Sequence, residues 1–200
     1  MRLLLVSDLH TDLHAATSIA ERAPDFDAVV GAGDFAVRRR GLHRIVGVLS
    51  AIETPTVLVP GNGESAGELA DACVGWPAAH VLHGTGVDIR GVPFFGLGGG
   101  VPVTPFGAWS YDFSEDEARE LLADCPPRAV LVSHSPPLGH ADRDRAGRHI
   151  GSVAVLEAIE RTRPRLVVCG HIHDSWKVRS RVGDTPVVNA GPAGVAWRLD

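Results

Sequence analysis

Five short apolar runs in this 200-residue chain are each followed by side chains able to bind a cation. Asp8 and His10 come after residues 3–6, and Asp34 comes after 27–30 and a glycine-bounded turn. Asn62 follows 56–59, His134 follows 129–132, and His171 and His173 follow 166–169. Each alone has an ordinary reading, as a helix-capping acid or a surface histidine. Recurrence after every run points instead to shared chemistry. Two residues apart on an extended chain, Asp8 and His10 face the same side, so a carboxylate oxygen and a ring nitrogen can converge on one cation. Nitrogen and oxygen donors without cysteine describe a hard-to-borderline metal centre. One cation takes about four to six ligands. Seven residues, including a carboxylate able to bridge, suit two cations.

The elements that must position these donors follow from the runs themselves. Each is short, rich in branched residues and ended by polar ones, which reads as a strand buried on both faces with its ligand at the C-terminal edge. In an open α/β sheet that edge is where ligands bind. Helical spacing separates the runs. Thr11 caps a helix to about Arg22, with Leu13, Ala16, Ile19 and Ala20 on one face. A second runs from 42 to 53, with Leu42, Ile45, Val46 and Leu49 buried and Pro55 closing its exit. Further helices are expected over 65–73, from the Ser114–Glu117 capping box to about 123, and over 152–163. Strand and helix in alternation imply right-handed crossovers and a parallel sheet.

Between 80 and 97 the pattern changes to short runs at 80–83, 87–90 and 92–97, separated by glycines. Such spacing predicts antiparallel hairpins beginning a second sheet, which antiparallel strands at 176–181, 186–189 and 195–199 would complete. Residues 98–110 are rich in Gly and Pro and carry Phe106 and Trp109, a long loop of the kind that lines binding sites.

A composition 44% hydrophobic and 22% charged suits one globular domain. No stretch is long enough to cross a bilayer, and Met1-Arg2 leads into a strand rather than a signal peptide, so a cytoplasmic protein is expected. Cys73, Cys125 and Cys169 lack a metal or disulfide spacing and read as buried reduced thiols. A net charge of -5 argues against a surface built to coat nucleic acid. The run Arg38-Arg39-Arg40, near Asp34, reads either as a solvated charge run or as a phosphate contact.

The series Asp8-x-His10, Gly33-Asp34, Gly61-Asn62, His134 and Gly170-His171-x-His173 resembles, in order and spacing, the calcineurin-like metallophosphoesterase superfamily over nearly the entire chain. The stretch His134-x-Pro136-Pro137-Leu138-Gly139, with the later Gly151-Ser152, is similar to one branch of small single-domain members. The resemblance implies an α/β fold, a four-layer αββα sandwich of two mixed β-sheets flanked by helices, as a single metallophosphoesterase domain over 1–200. It implies one metal on Asp8, His10, Asp34 and His173 and a second on Asp34, Asn62, His134 and His171, with Asp34, Asn62 and His134 also catalytic. A hydroxide shared by the two cations would then attack phosphorus in line. The two divalent ions are expected to be manganese, with iron, zinc, cobalt or nickel also suited to these donors.

One position departs from the family. Members usually read Gly-Asn-His where this chain has Gly61-Asn62-Gly63, and that histidine is thought to assist the leaving oxygen. His14, His83 and His149 stand as substitutes that the sequence does not rank. The leading function is a phosphoesterase acting on small or nucleotide-type phosphodiesters, with a small phosphate ester as its partner, nucleic acid not expected, no membrane association and oligomeric state open. A weakly active or inactive metal-binding scaffold for protein partners and a nuclease remain as alternatives.

Overall fold

The computed structural model describes residues 1–199. In strand β1 (Arg2–Val6), Leu3 and Leu5 face one way and Leu4 and Val6 the other, and all four are buried. A strand buried on both faces must have a layer on each side. Beside it lie β2 (Ala28–Ala32), β3 (Thr56–Val59) and β4 (Ala79–Val81), all parallel, while β11 (Val195–Arg198) runs antiparallel along its other edge. The sheet order is β11-β1-β2-β3-β4.

The second sheet contains β5 (Thr85–Ile89), β6 (Val92–Leu97), β7 (Val130–Ser133), β8 (Leu166–Cys169), β9 (Arg179–Val182) and β10 (Thr185–Asn189), in the order β5-β6-β7-β8-β10-β9. Its four inner strands are parallel and its two edge strands antiparallel. Leu3, Leu5, Val30 and Val57 of one sheet meet Phe94, Val130, Val132 and Val168 of the other in a common core. Helices α1 (Leu13–Arg22), α2 (Leu42–Leu49) and α3 (Ala66–Ala72) cover the outer face of the first sheet. Helices α4 (Glu115–Leu121) and α5 (Val153–Thr162) cover the second, completing the four-layer αββα order.

The structure corrects several local expectations. Thr11 does not cap α1: its backbone is left-handed at φ 64°, its N–H donates to the Phe35 carbonyl, and Asp12 caps the helix instead. Helix α2 stops at Leu49 because the chain turns, buries Ile52 and offers its carbonyl to the Trp76 indole N–H. The run at 80–83 is no hairpin strand; it shortens to β4 and runs parallel to β3. In the tail, β9 and β10 form the expected hairpin, whereas β11 crosses back to β1 of the first sheet. Alternation marks a segment as a strand without saying which edge receives it.

Candidate metal centre

The parallel strands carry their following loops to one edge of the two sheets, where the donor side chains meet. Ligand atoms of Asp8, His10, Asp34 and His173 all lie within 4.8 Å of one another. Nε2 of His10 is 2.9 Å from Nε2 of His173 and 3.5 Å from Oδ2 of Asp34, and Nε2 of His173 is 3.7 Å from Oδ1 of Asp8. On the other side of Asp34, Oδ1 faces Nε2 of His134 at 3.5 Å, and that nitrogen is 3.3 Å from Oδ1 of Asn62. The His171 ring lies against His134, centroids 4.9 Å apart. All seven donors named from the sequence are therefore gathered at one edge, and Asp34 turns one oxygen toward each half.

Local backbone geometry serves this convergence. Asp8, His10, Asp34 and His171 all have positive φ, 54°, 43°, 58° and 66°, which costs about 1–2 kcal/mol for a residue with a Cβ. Hydrogen bonds hold the loops there: Asp8 N–H donates to the Gly33 carbonyl and His10 N–H to the Asp34 carbonyl, at 2.8 and 2.9 Å. Asp8 is oriented further by the Ser7 hydroxyl and Trp176 indole N–H, which donate to Oδ2 at 2.6 and 3.0 Å, and by the His171 N–H on Oδ1. His134 turns Nδ1 to the Ala32 carbonyl at 2.8 Å and His10 turns Nδ1 to that of Ala36 at 3.2 Å, which points each Nε2 into the donor cluster. Asn62 donates its amide to Ser110 Oγ, so its oxygen faces His134.

The electrostatics favour a cation. Burial acts to raise the Asp34 carboxyl, but the charges of His134 and His10 and the Gly63 N–H outweigh it and hold the group below its ordinary value. Removal from water and the neighbouring His134 press the His171 imidazole down to about 3, which keeps it a neutral donor. For His134 burial acts to lower the imidazole, but the charges of Asp34 and Asp8 outweigh it and hold the group above its ordinary value, so a cation there would displace a proton. The donor set fits a divalent cation in residue type.

Several supporting residues were not singled out from the sequence. Glu64 is fully buried and accepts N–H groups from Phe35 at 3.2 Å, Ala36 at 2.8 Å and Gly61 at 2.7 Å, clamping the Asp34 loop to the Asn62 loop. Its burial, then the charge of Asp34, push its carboxyl up to about 7. Asn189 donates its amide to the carbonyls of Gly170 and Ile172, on either side of His171. A carboxylate two residues after Asn62 was the available signal for Glu64; Asn189 lies too far along the chain to offer one.

Gly63 has an ordinary φ but little room. A Cβ there would come within 2.9 Å of the Ala36 carbonyl oxygen and 3.1 Å of Asp34 Oδ1, and its N–H donates to Asp34 Oδ1 at 2.7 Å. Over the centre opens a cavity of about 660 Å³ lined by His10, Asp34, Asn62, His171 and His173 on one side and by the 101–109 loop on the other. None of His14, His83 and His149 lines it. His14 is exposed on α1, His83 packs on Tyr111 and Phe113, and His149 pairs with Asp142. Of the arginine run, Arg38 lines the cavity, while Arg39 bonds the Trp109 carbonyl and Glu68 as a strut between loops.

A family model for the calcineurin-like phosphoesterase superfamily domain matches residues 1–199. A UPF0046 protein of Caenorhabditis elegans is 30% identical over 95% of this chain and 69% of its own length. Human metallophosphoesterase domain-containing protein 1 is 30% identical over 70% of this chain, but the match spans only 41% of that protein. Among solved structures, a Thermus thermophilus protein superposes with a TM-score of 0.76 at 22% identity, covering 96% of this chain and 90% of that one. A dimetal phosphatase of Danio rerio superposes with a TM-score of 0.58 at 15% identity, covering 96% and 87%. Phosphopantetheinyl hydrolase of Mycobacterium tuberculosis does so at 0.61 and 17%, covering 94% and 88%. Identities this low speak to the fold alone.

Proposed function

The chain belongs to the calcineurin-like phosphoesterase superfamily, whose members use divalent metal ions, and from that premise we propose a dinuclear phosphoesterase acting on small phosphodiesters, nucleotide-type esters included. The observation that carries the reading is Asp34, whose Oδ2 faces His10 and whose Oδ1 faces His134, both at 3.5 Å. Asp8, His10, Asp34 and His173 would hold one cation, and Asp34, Asn62, His134 and His171 the other. When bound, such a pair supplies an activated water at neutral pH and positive charge for the phosphoryl oxygens. Manganese suits these donors, and iron, zinc, cobalt or nickel would also.

The chain's own part is to orient. Ser7, Trp176 and the Gly63 N–H fix the carboxylates, Glu64 clamps their loops, and the 101–109 loop lines the cavity over them. Among the described residues, the lining holds no imidazole beyond the proposed ligands His10, His171 and His173. A leaving oxygen therefore departs without help from a dedicated histidine acid, which favours esters of acidic alcohols. Among the described residues, no helix is long and apolar enough to cross a membrane, and the three buried thiols suit a reducing, cytoplasmic compartment.

The test is a turnover screen of Mn-loaded protein on phosphomonoesters, linear diesters and cyclic nucleotides. The expected result is cleavage of aryl diesters, with rates rising steeply as leaving-group pKa falls. No turnover on any ester by protein that has bound its metal would overturn the catalytic reading, and a flat dependence on leaving-group pKa would overturn the absence of an acid.

A further inference from the structure

Exposed large apolar side chains are uninformative when scattered and informative when gathered. Among the described residues, six are well exposed, and four of them, Val37, Val103, Phe106 and Ile150, line the cavity over the donor cluster. Phe106, 50% exposed, lies nearly parallel to Trp109, ring centroids 5.6 Å apart and planes 13° from coplanar. The Arg38 guanidinium sits 5.4 Å from the Trp109 ring centroid, and no carboxylate among the described residues pairs with it. The cavity is thus two-sided. One wall offers carboxylate, amide and imidazole donors; the 101–109 wall is apolar and aromatic with the Arg38 cation at its rim, and Asp174 and the paired Asp144 and Arg148 line the rest.

Resting on the phosphoesterase reading, we infer that the Phe106–Trp109 wall is a specificity subsite for a planar aromatic group attached through the phosphate ester. A phosphoryl group at the donor cluster holds its organic substituent inside the same cavity. A flat ring there gains stacking surface on Phe106 and removes the exposed Val103 and Ile150 from water. Arg38 adds attraction both for ring faces and for the ester's negative charge. The planar group could be a simple aryl ring or a nucleobase, which share this chemistry, so the test carries an arm for each.

The probes are methylphosphonate, cyclohexylphosphonate and phenylphosphonate, with ribose 5-phosphate and adenosine 5′-monophosphate as the second pair. Their binding to Mn-loaded protein is measured by calorimetry, which needs no turnover. Phenylphosphonate is expected to bind about tenfold more tightly than methylphosphonate, as one aromatic stack contributes. Cyclohexylphosphonate should fall between them. A similar gain of the nucleotide over the sugar phosphate assigns the subsite to a base, and its absence assigns it to a simple aryl group. Phe106→Ala and Trp109→Ala should bring the phenyl-to-methyl ratio close to one at unchanged metal content. An unaltered protein that binds all three phosphonates equally, a cyclohexyl group that binds as well as phenyl, or a ratio that survives both substitutions would overturn the inference. A protein that hydrolyses no ester yet keeps the phenyl preference would sink the catalytic reading alone; one that turns over esters with no such preference would sink the subsite alone.

Discussion

The two walls of the cavity are built on opposite principles. On the donor side the carboxylates and their loops are oriented by hydrogen bonds: Asp8 by Ser7 and Trp176, Asp34 by the Gly63 N–H, and the loops of Asp34 and Asn62 by Glu64. The 101–109 wall instead presents Pro102, Val103, Pro105 and Phe106 as exposed surface, tied back mainly through Thr104, Ser110 and Asp112. Cation binding needs donors fixed within fractions of an ångström, so its supports are buried and strained. A wall that selects a substituent needs shape and surface, and tolerates change.

If this division is correct, substitutions on the two walls should separate in what they change. Among the residues that support the donors, the largest effect is expected at Glu64. Glu64→Gln puts an amide N–H among the three backbone donors of Phe35, Ala36 and Gly61, so metal affinity should fall by roughly 10–100-fold, as for other groups that orient ligands. Metal titration of the folded variant checks this. Affinity equal to that of the unaltered protein would show that the loops hold without their clamp.

Gly63 gives the next effect. Gly63→Ala should weaken metal binding by several-fold, because its Cβ would press on the Ala36 carbonyl 2.9 Å away and disturb the N–H on Asp34. Gly63→His carries the same Cβ. It is therefore expected to lose metal affinity before its ring can assist a leaving group. An increase in kcat for alkyl diesters with metal content intact would show that the loop gives way and that the chain lacked only an acid.

The smallest effect lies away from both walls. His83 accepts the Gly98 N–H on Nδ1 and packs against Tyr111 and Phe113, and burial lowers its pKa from the ordinary 6.5. A histidine depressed in the folded state contributes stability above its unfolded pKa that is lost as pH falls through its folded pKa. Melting temperature should therefore decline on acidification below about 6.5 even with metal removed, and less so in His83→Gln. An equal decline in both proteins would remove His83 from the account.

How much of this was legible beforehand depends on distance along the chain. Asp8, Asp34, Asn62, His134, His171 and His173 each stand within a few residues of an apolar run, so strand and donor were read together. The loop with Phe106 and Trp109 was legible as a wall for its Gly and Pro content, though not the stack itself. Glu64 was passed over because its partners, Phe35 and Ala36, reach it only once β2 and β3 pair. The neighbours of β4 and β11 were misread for the related reason that alternating hydrophobicity identifies a strand and leaves its edge open. The same blindness left His83 and His149 standing as substitutes for the absent histidine.

On the proposed reading Asp34 would serve two cations at once. Elemental analysis of Mn-loaded protein beside Asp34→Asn tests it most directly. About two metals per chain are expected in the unaltered protein, as the two-sided donor set requires, and loss from both sites in the variant. A single tightly held metal, unchanged by Asp34→Asn, would contradict it.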